Sequence, residues 1–152
     1  IDEAKEGLQL AQRKLVLCPV NDSRDGSRAD GGTHWGLLVW DRSGCGTGTF
    51  AYCDSASGGL VSNLPQAQAL AKCLVGRDAK VVSGACAKQT NSFDCGMYVL
   101  CFSELISGAF LSSGDGWRGA GRTPSWEALL EAVTPQEVSD RRALFYSQLS
   151  GD

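Results

Sequence analysis

A polar turn, Gln89-Thr90-Asn91-Ser92-Phe93-Asp94, ends at Cys95, and from Gly96 the chain runs on through Met97-Tyr98-Val99-Leu100 with no helix breaker. This junction constrains the chain most, because it sets a cysteine in the first turn of a helix. There the open N–H groups and the helix dipole favour thiolate over thiol. The reading therefore predicts a nucleophile at Cys95. The fold must then bring a base, a group to orient it and oxyanion donors to the same place.

With 152 residues, the chain has the length of one domain. A chain of that size buries roughly 68–70% of its unfolded surface, enough for a sizeable core. Residues 2–12 predict a short helix or a frayed lead-in. Lys14 to Val20 is a compact apolar run closed by Asn21-Asp22, and predicts a buried strand. A turn-rich loop over 21–32 follows, with Asp25-Gly26, Asp30 and Gly31-Gly32. Strands are expected over 33–40 and 49–55, joined by the glycine-containing loop 41–48 and paired antiparallel. Gly58-Gly59 marks a break. Apolar residues at helical spacing predict a helix over 64–74 with Pro65 in its first turn. A short fourth strand at 79–82 comes before the polar turn. The Cys95 helix is expected to end near Ser107, and the glycine- and serine-rich 108–124 to form a loop. Thr134-Pro135-Gln136-Glu137 has the form of a capping box opening a last helix that reaches about Leu149. The fold class expected is α+β, a small, mostly antiparallel sheet with the Cys95 helix packed on it.

Composition limits the partners. The net charge is −3 and no basic patch of the kind nucleic acid requires is present. No apolar stretch is read as approaching the ~20 residues of a membrane span, and no signal peptide opens the chain. The reading is of a soluble monomer of the cytoplasm or nucleus, with no nucleic-acid or membrane partner. The seven cysteines are odd in number and no pair has CxxC spacing. They are read as reduced thiols, with Cys18, Cys53, Cys73 and Cys101 acting as small hydrophobes. No metal and no cofactor is expected. The chain begins at Ile1 and its one methionine is Met97, so the sequence predicts a fragment or a processed chain.

The candidate base is His34, the sole histidine. It stands where the glycine-rich loop meets a strand, a strand-end position expected to be exposed. Asp54 ends the next strand and lies beside His34 if the two strands form a hairpin, where it can accept the imidazole Nδ1–H. Gln89, six residues before Cys95, carries an amide able to donate to an oxyanion together with the Cys95 backbone N–H. Taken singly, each has a plainer reading: a surface histidine, a strand-terminating aspartate, a loop glutamine.

Taken together, three segments resemble the Ulp/sentrin-specific family of cysteine proteases, which have a papain-like fold. They are Gly31-Gly32-Thr33-His34-Trp35-Gly36-Leu37-Leu38-Val39, Tyr52-Cys53-Asp54-Ser55, and Gln89 through Val99. The resemblance covers about residues 12–150. The end of the first strand, Val20-Asn21-Asp22, and the late Val133-Thr134-Pro135 suit the deneddylase branch. It implies Cys95 as nucleophile, His34 as base, Asp54 as orienting acid and Gln89 in the oxyanion hole. Trp35 matches a tryptophan that helps roof a narrow tunnel for a substrate's Gly-Gly tail, where only glycine passes between flat aromatic faces. By strand alternation Trp35 could equally be a core aromatic.

The chain departs from the family at its front. A Trp-Leu-Asn-Asp motif that supplies the tunnel's other tryptophan has no match in residues 1–13, and Trp35, Trp40, Trp117 and Trp126 all lie downstream. The reading is of a single protease domain over 1–152, truncated at its N-terminus. The activity implied is cleavage after the C-terminal Gly-Gly of a ubiquitin-like modifier, with the neddylation modifier favoured. SUMO as the modifier, and an inactive module that only binds a ubiquitin-like protein, stay open as alternatives.

Overall fold

The computed structural model describes residues 6–23, 25, 31–44, 46–56, 62–113 and 126–151. Strands β1 (Leu15–Asn21), β2 (Trp35–Asp41), β3 (Thr49–Cys53) and β4 (Val81–Ser83) form one sheet in that spatial order. β2 pairs antiparallel with β1, Asn21 opposite Trp35, and with β3, Leu37 opposite Cys53. β4 runs parallel to β3. The helices are α1 (Leu64–Val75), α2 (Cys95–Ser113), α3 (Trp126–Glu131) and α4 (Pro135–Ser150).

Helices cover both faces of the sheet, and this explains why β2 is a continuous apolar run rather than an alternating one. Along β2, Leu37 and Val39 turn to one face with Cys53 of β3, and meet Tyr98, Val99, Phe102 and Ile106 of α2. Leu38 and Trp40 turn to the other face with Phe50 and Tyr52, and meet Ala67 and Ala71 of α1. The small alanines let α1 lie close to the sheet. Gly76, at φ +72°, ends α1 in the left-handed conformation that glycine adopts without strain.

Three expectations are corrected. α2 continues to Ser113, because Ala109 and Phe110 still pack against the core past the expected stop at Ser107. The rest of the 108–124 loop, like Gly58-Gly59, lies outside the described residues. At 19 residues α2 is also long and apolar enough, by length and composition, to cross a membrane, contrary to the reading of the sequence. In this fold it lies on β2, and its Glu104 pairs with Arg141 of α4 at 2.8 Å. α3 forms where no helix was expected, with Trp126 and Leu130 fully buried beneath it. The capping box is present as expected: the Thr134 side chain accepts the Glu137 N–H, and Glu137 accepts the Thr134 N–H at 2.7 Å. The described cysteines are free thiols.

Candidate active site

His34 is the last residue before β2, and its main chain is held on both sides. Its N–H donates to Asp22 Oδ1 at 3.0 Å. Its carbonyl accepts from Asn21 Nδ2 at 3.2 Å and from Asn63 Nδ2 at 2.9 Å. Asp22 also takes the Thr33 hydroxyl and N–H, and these donors lower its carboxyl to a pKa of about 2, the hydroxyl contributing most. His34 is only 8% exposed. The expectation of an exposed histidine is corrected: the ring sits inside the fold.

The register that sets Leu37 opposite Cys53 carries Asp54 alongside His34, and Asp54 Oδ1 lies 2.6 Å from the ring. The atom it meets is Nε2 and not the expected Nδ1. A carboxylate can only accept, so Nε2 carries the proton and Nδ1 is the ring's basic nitrogen. The Asp54 carboxylate accepts also from Ala56 N–H at 2.9 Å and from Tyr52 Oη at 3.1 Å. Its main-chain carbonyl takes Lys88 Nζ at 2.6 Å and Cys86 Sγ at 3.3 Å. The pairing of Cys53 with Cys86, together with burial, pushes the Cys53 thiol well up, and the same pairing draws Cys86 down against its own burial.

Cys95 is the first residue of α2 and is buried. The turn before it is built by Asn91, whose Oδ1 accepts the N–H groups of Phe93 and Asp94 and whose Nδ2 donates to Asp94 Oδ2 at 2.6 Å. Asp94, buried, accepts the Tyr98 N–H at its carbonyl and so caps α2. Its carboxylate forms an ion pair with Arg142 of α4. The same guanidinium lies 5.1 Å from the centre of the exposed Phe93 ring.

Gln89 links the two halves. Its backbone N–H donates to the Ser55 carbonyl at 2.8 Å, and its Oε1 accepts from Ser55 Oγ at 2.7 Å. Its Nε2 donates to the Asn91 carbonyl at 2.6 Å. A carboxamide nitrogen carries two hydrogens, so the bond to Asn91 fixes the plane in which the second points. Asp54 and Ser55 are neighbours in the chain. A bonded path thus runs from the His34 ring through Asp54, Ser55, Gln89 and Asn91 to the residue before Cys95.

The histidine and cysteine ends also meet directly through their next residues. A Cβ placed on Gly96 would lie 3.9 Å from Trp35 Cδ1, so Trp35 faces the first turn of α2. Trp35 is the exposed residue of β2, 39% open, which removes the alternative of a core aromatic.

Ser55, Asn91, Asp94, Tyr52 and Arg142 were not singled out from the sequence. The Asn91–Asp94 spacing before a helix is a turn signal that could have flagged two of them. Nothing near Arg142 marks it, since its partner is far away in the chain. Among the described residues, no group of three or more His, Cys, Asp or Glu side chains is arranged to hold a metal ion.

No protein-family model matches the chain. Individual relatives do. The chain is 29% identical over 140 residues to sentrin-specific protease 8 of Homo sapiens, covering 90% of this chain and 58% of that protein. It is 30% identical over 144 residues to NEDD8-specific protease 1 of Arabidopsis thaliana, covering 89% of this chain and 58% of that protein. The chain therefore spans somewhat more than half the length of these relatives. The solved structure of the Xanthomonas campestris effector protein XopD, bound to ubiquitin, superposes with a TM-score of 0.55 at 23% identity. That match covers 93% of this chain and 67% of the other, and shows a shared fold.

Proposed function

We propose that the chain is a cysteine protease of the Ulp/sentrin-specific kind, which cleaves after the C-terminal Gly-Gly of a ubiquitin-like modifier, with NEDD8 preferred. On this reading it matures the modifier's precursor and releases it from conjugates, acting as a monomer in the cytoplasm or nucleus. The relatives named for NEDD8 and sentrin support the substrate class.

In the reaction, His34 Nδ1 takes the Cys95 thiol proton, and the thiolate attacks the terminal glycine carbonyl. The Cys95 N–H and the Gln89 amide donate to the oxyanion as it forms. The imidazolium then returns its proton to the leaving amine, and water releases the thioester. Asp54 keeps Nε2–H bonded throughout, so the ring presents Nδ1. Trp35 lies over the extended Gly-Gly tail, where a side chain on either residue would collide.

The observation that carries this reading is the 2.6 Å bond from His34 Nε2 to Asp54, formed one residue from a tryptophan that faces the start of the Cys95 helix. The test feeds the chain NEDD8 and SUMO precursors carrying short C-terminal extensions. Cleavage of the NEDD8 precursor is expected, together with its complete loss in Cys95→Ala. Cleavage that survives Cys95→Ala sinks the assignment, and preference for the SUMO precursor reassigns the modifier.

A further inference from the structure

Behind the His34–Asp54 pair lies a buried tyrosine that the chemistry above does not use. Tyr52 and Asp54 are two residues apart, so they leave the β3 chain toward the same face. The Tyr52 ring fills the core between the sheet and α1, 2% exposed, and its hydroxyl reaches Asp54 Oδ2 at 3.1 Å. A carboxylate can only accept, so the hydroxyl hydrogen points toward Asp54. Burial first, then the charge and hydrogen bond of Asp54, push the phenol far above its ordinary range, so the group stays a neutral donor.

A further feature shows that this space is kept for the hydroxyl. A Cβ on Gly36 would stand 2.1 Å from Tyr52 Oη and 2.5 Å from Cζ, so the residue after Trp35 has no room for a side chain. Asn63, fully buried, holds the cap position of α1 yet makes no side-chain capping bond to it. Its amide donates to the His34 carbonyl instead. Asn63 thus ties the start of α1 to the main chain of His34.

We infer that Tyr52 is a positioning residue for the His34–Asp54 pair. Its hydroxyl holds Oδ2, which sets the carboxylate plane so that Oδ1 faces the imidazole. Gly36 leaves the space for that hydroxyl. The assignment of a role in turnover rests on the proposed protease activity; the effect on the histidine does not.

His34 is the one histidine in the chain, so a single imidazole signal reports the pair. Tyr52→Phe keeps the ring and removes only the hydroxyl. Proton NMR of the parent chain is expected to show a His34 Nε2–H resonance protected by its bond to Asp54. In Tyr52→Phe its exchange with water is expected to rise about tenfold, the equivalent of one hydrogen bond to a charged group. With a cleavable modifier, kcat is expected to fall about tenfold while KM stays within about twofold. A role confined to packing would lower the melting temperature and leave the imidazole resonance unchanged, and that result overturns the inference. If neither chain cleaves any modifier, the protease reading is at fault, and the NMR comparison still decides the role of Tyr52.

Discussion

Asp22 acts on His34 without touching its ring. The carboxylate gathers the N–H groups of Thr33 and His34 and the Thr33 hydroxyl, and so fixes the last two residues before β2. Its folded pKa, about 2, lies below the ordinary 3.8, so the native state gains from the ionised form. That gain is fully present above about pH 4 and is lost as the pH falls toward 2. Denaturant midpoints taken at about pH 5 and about pH 2.5 should therefore drop further in the parent chain than in Asp22→Asn, which has no charge to lose. Parallel drops would remove this role from Asp22. At this scale the sequence was informative about identity and poor about contact. His34, Asp54 and Cys95 stood out because each lies at the edge of a strand or helix, and Gln89 because it stands in the polar turn that leads to Cys95. Which imidazole nitrogen meets Asp54 depends on a ring orientation that no spacing encodes.

Elements were legible where burial and local signals agreed. β2 and β3 were foreseen with their antiparallel pairing, since two apolar runs joined by a short glycine-containing loop have few other ways to bury themselves. The last helix was foreseen from its cap. Thr134→Ala removes that cap and should cost about 1 kcal/mol in denaturant unfolding. The two misread helices failed for opposite reasons. Ser107 and Gly108 argue by propensity for ending α2, and the burial of Ala109 and Phe110 overrides them. α3, with six residues, is too short for a helical period to register, yet it places Leu130 at full burial. Leu130→Ala should cost about 3 kcal/mol, well beyond the cap, because it empties volume in the core below α2. Equal losses for the two variants would mean that α3 is a surface attachment rather than part of that core.

Across the whole molecule, the site is assembled from parts that lie far apart in the chain. The Asn91–Asp94 turn that presents Cys95 is closed by Arg142 from the last helix, which also covers Phe93. No local pattern announces such a tie, and this is why it was invisible in the sequence. Arg142→Ala leaves the buried Asp94 charge unpaired and should lower stability by about 3 kcal/mol. It should also slow labelling of Cys95 by a NEDD8 probe with a C-terminal vinyl sulfone. Unchanged labelling and stability together would show that the turn holds itself. The tie has a further consequence for a chain made from its N-terminus onward. When Cys95 is synthesised, the residue that closes its turn does not yet exist, and at roughly 5–20 residues per second it arrives some seconds later. Throughout that interval the nascent chain carries the cysteine, the histidine and the acid without the brace that joins them to the final helix. The turn before Cys95 is therefore closed only once residue 142 has been added and the helix that carries it has packed.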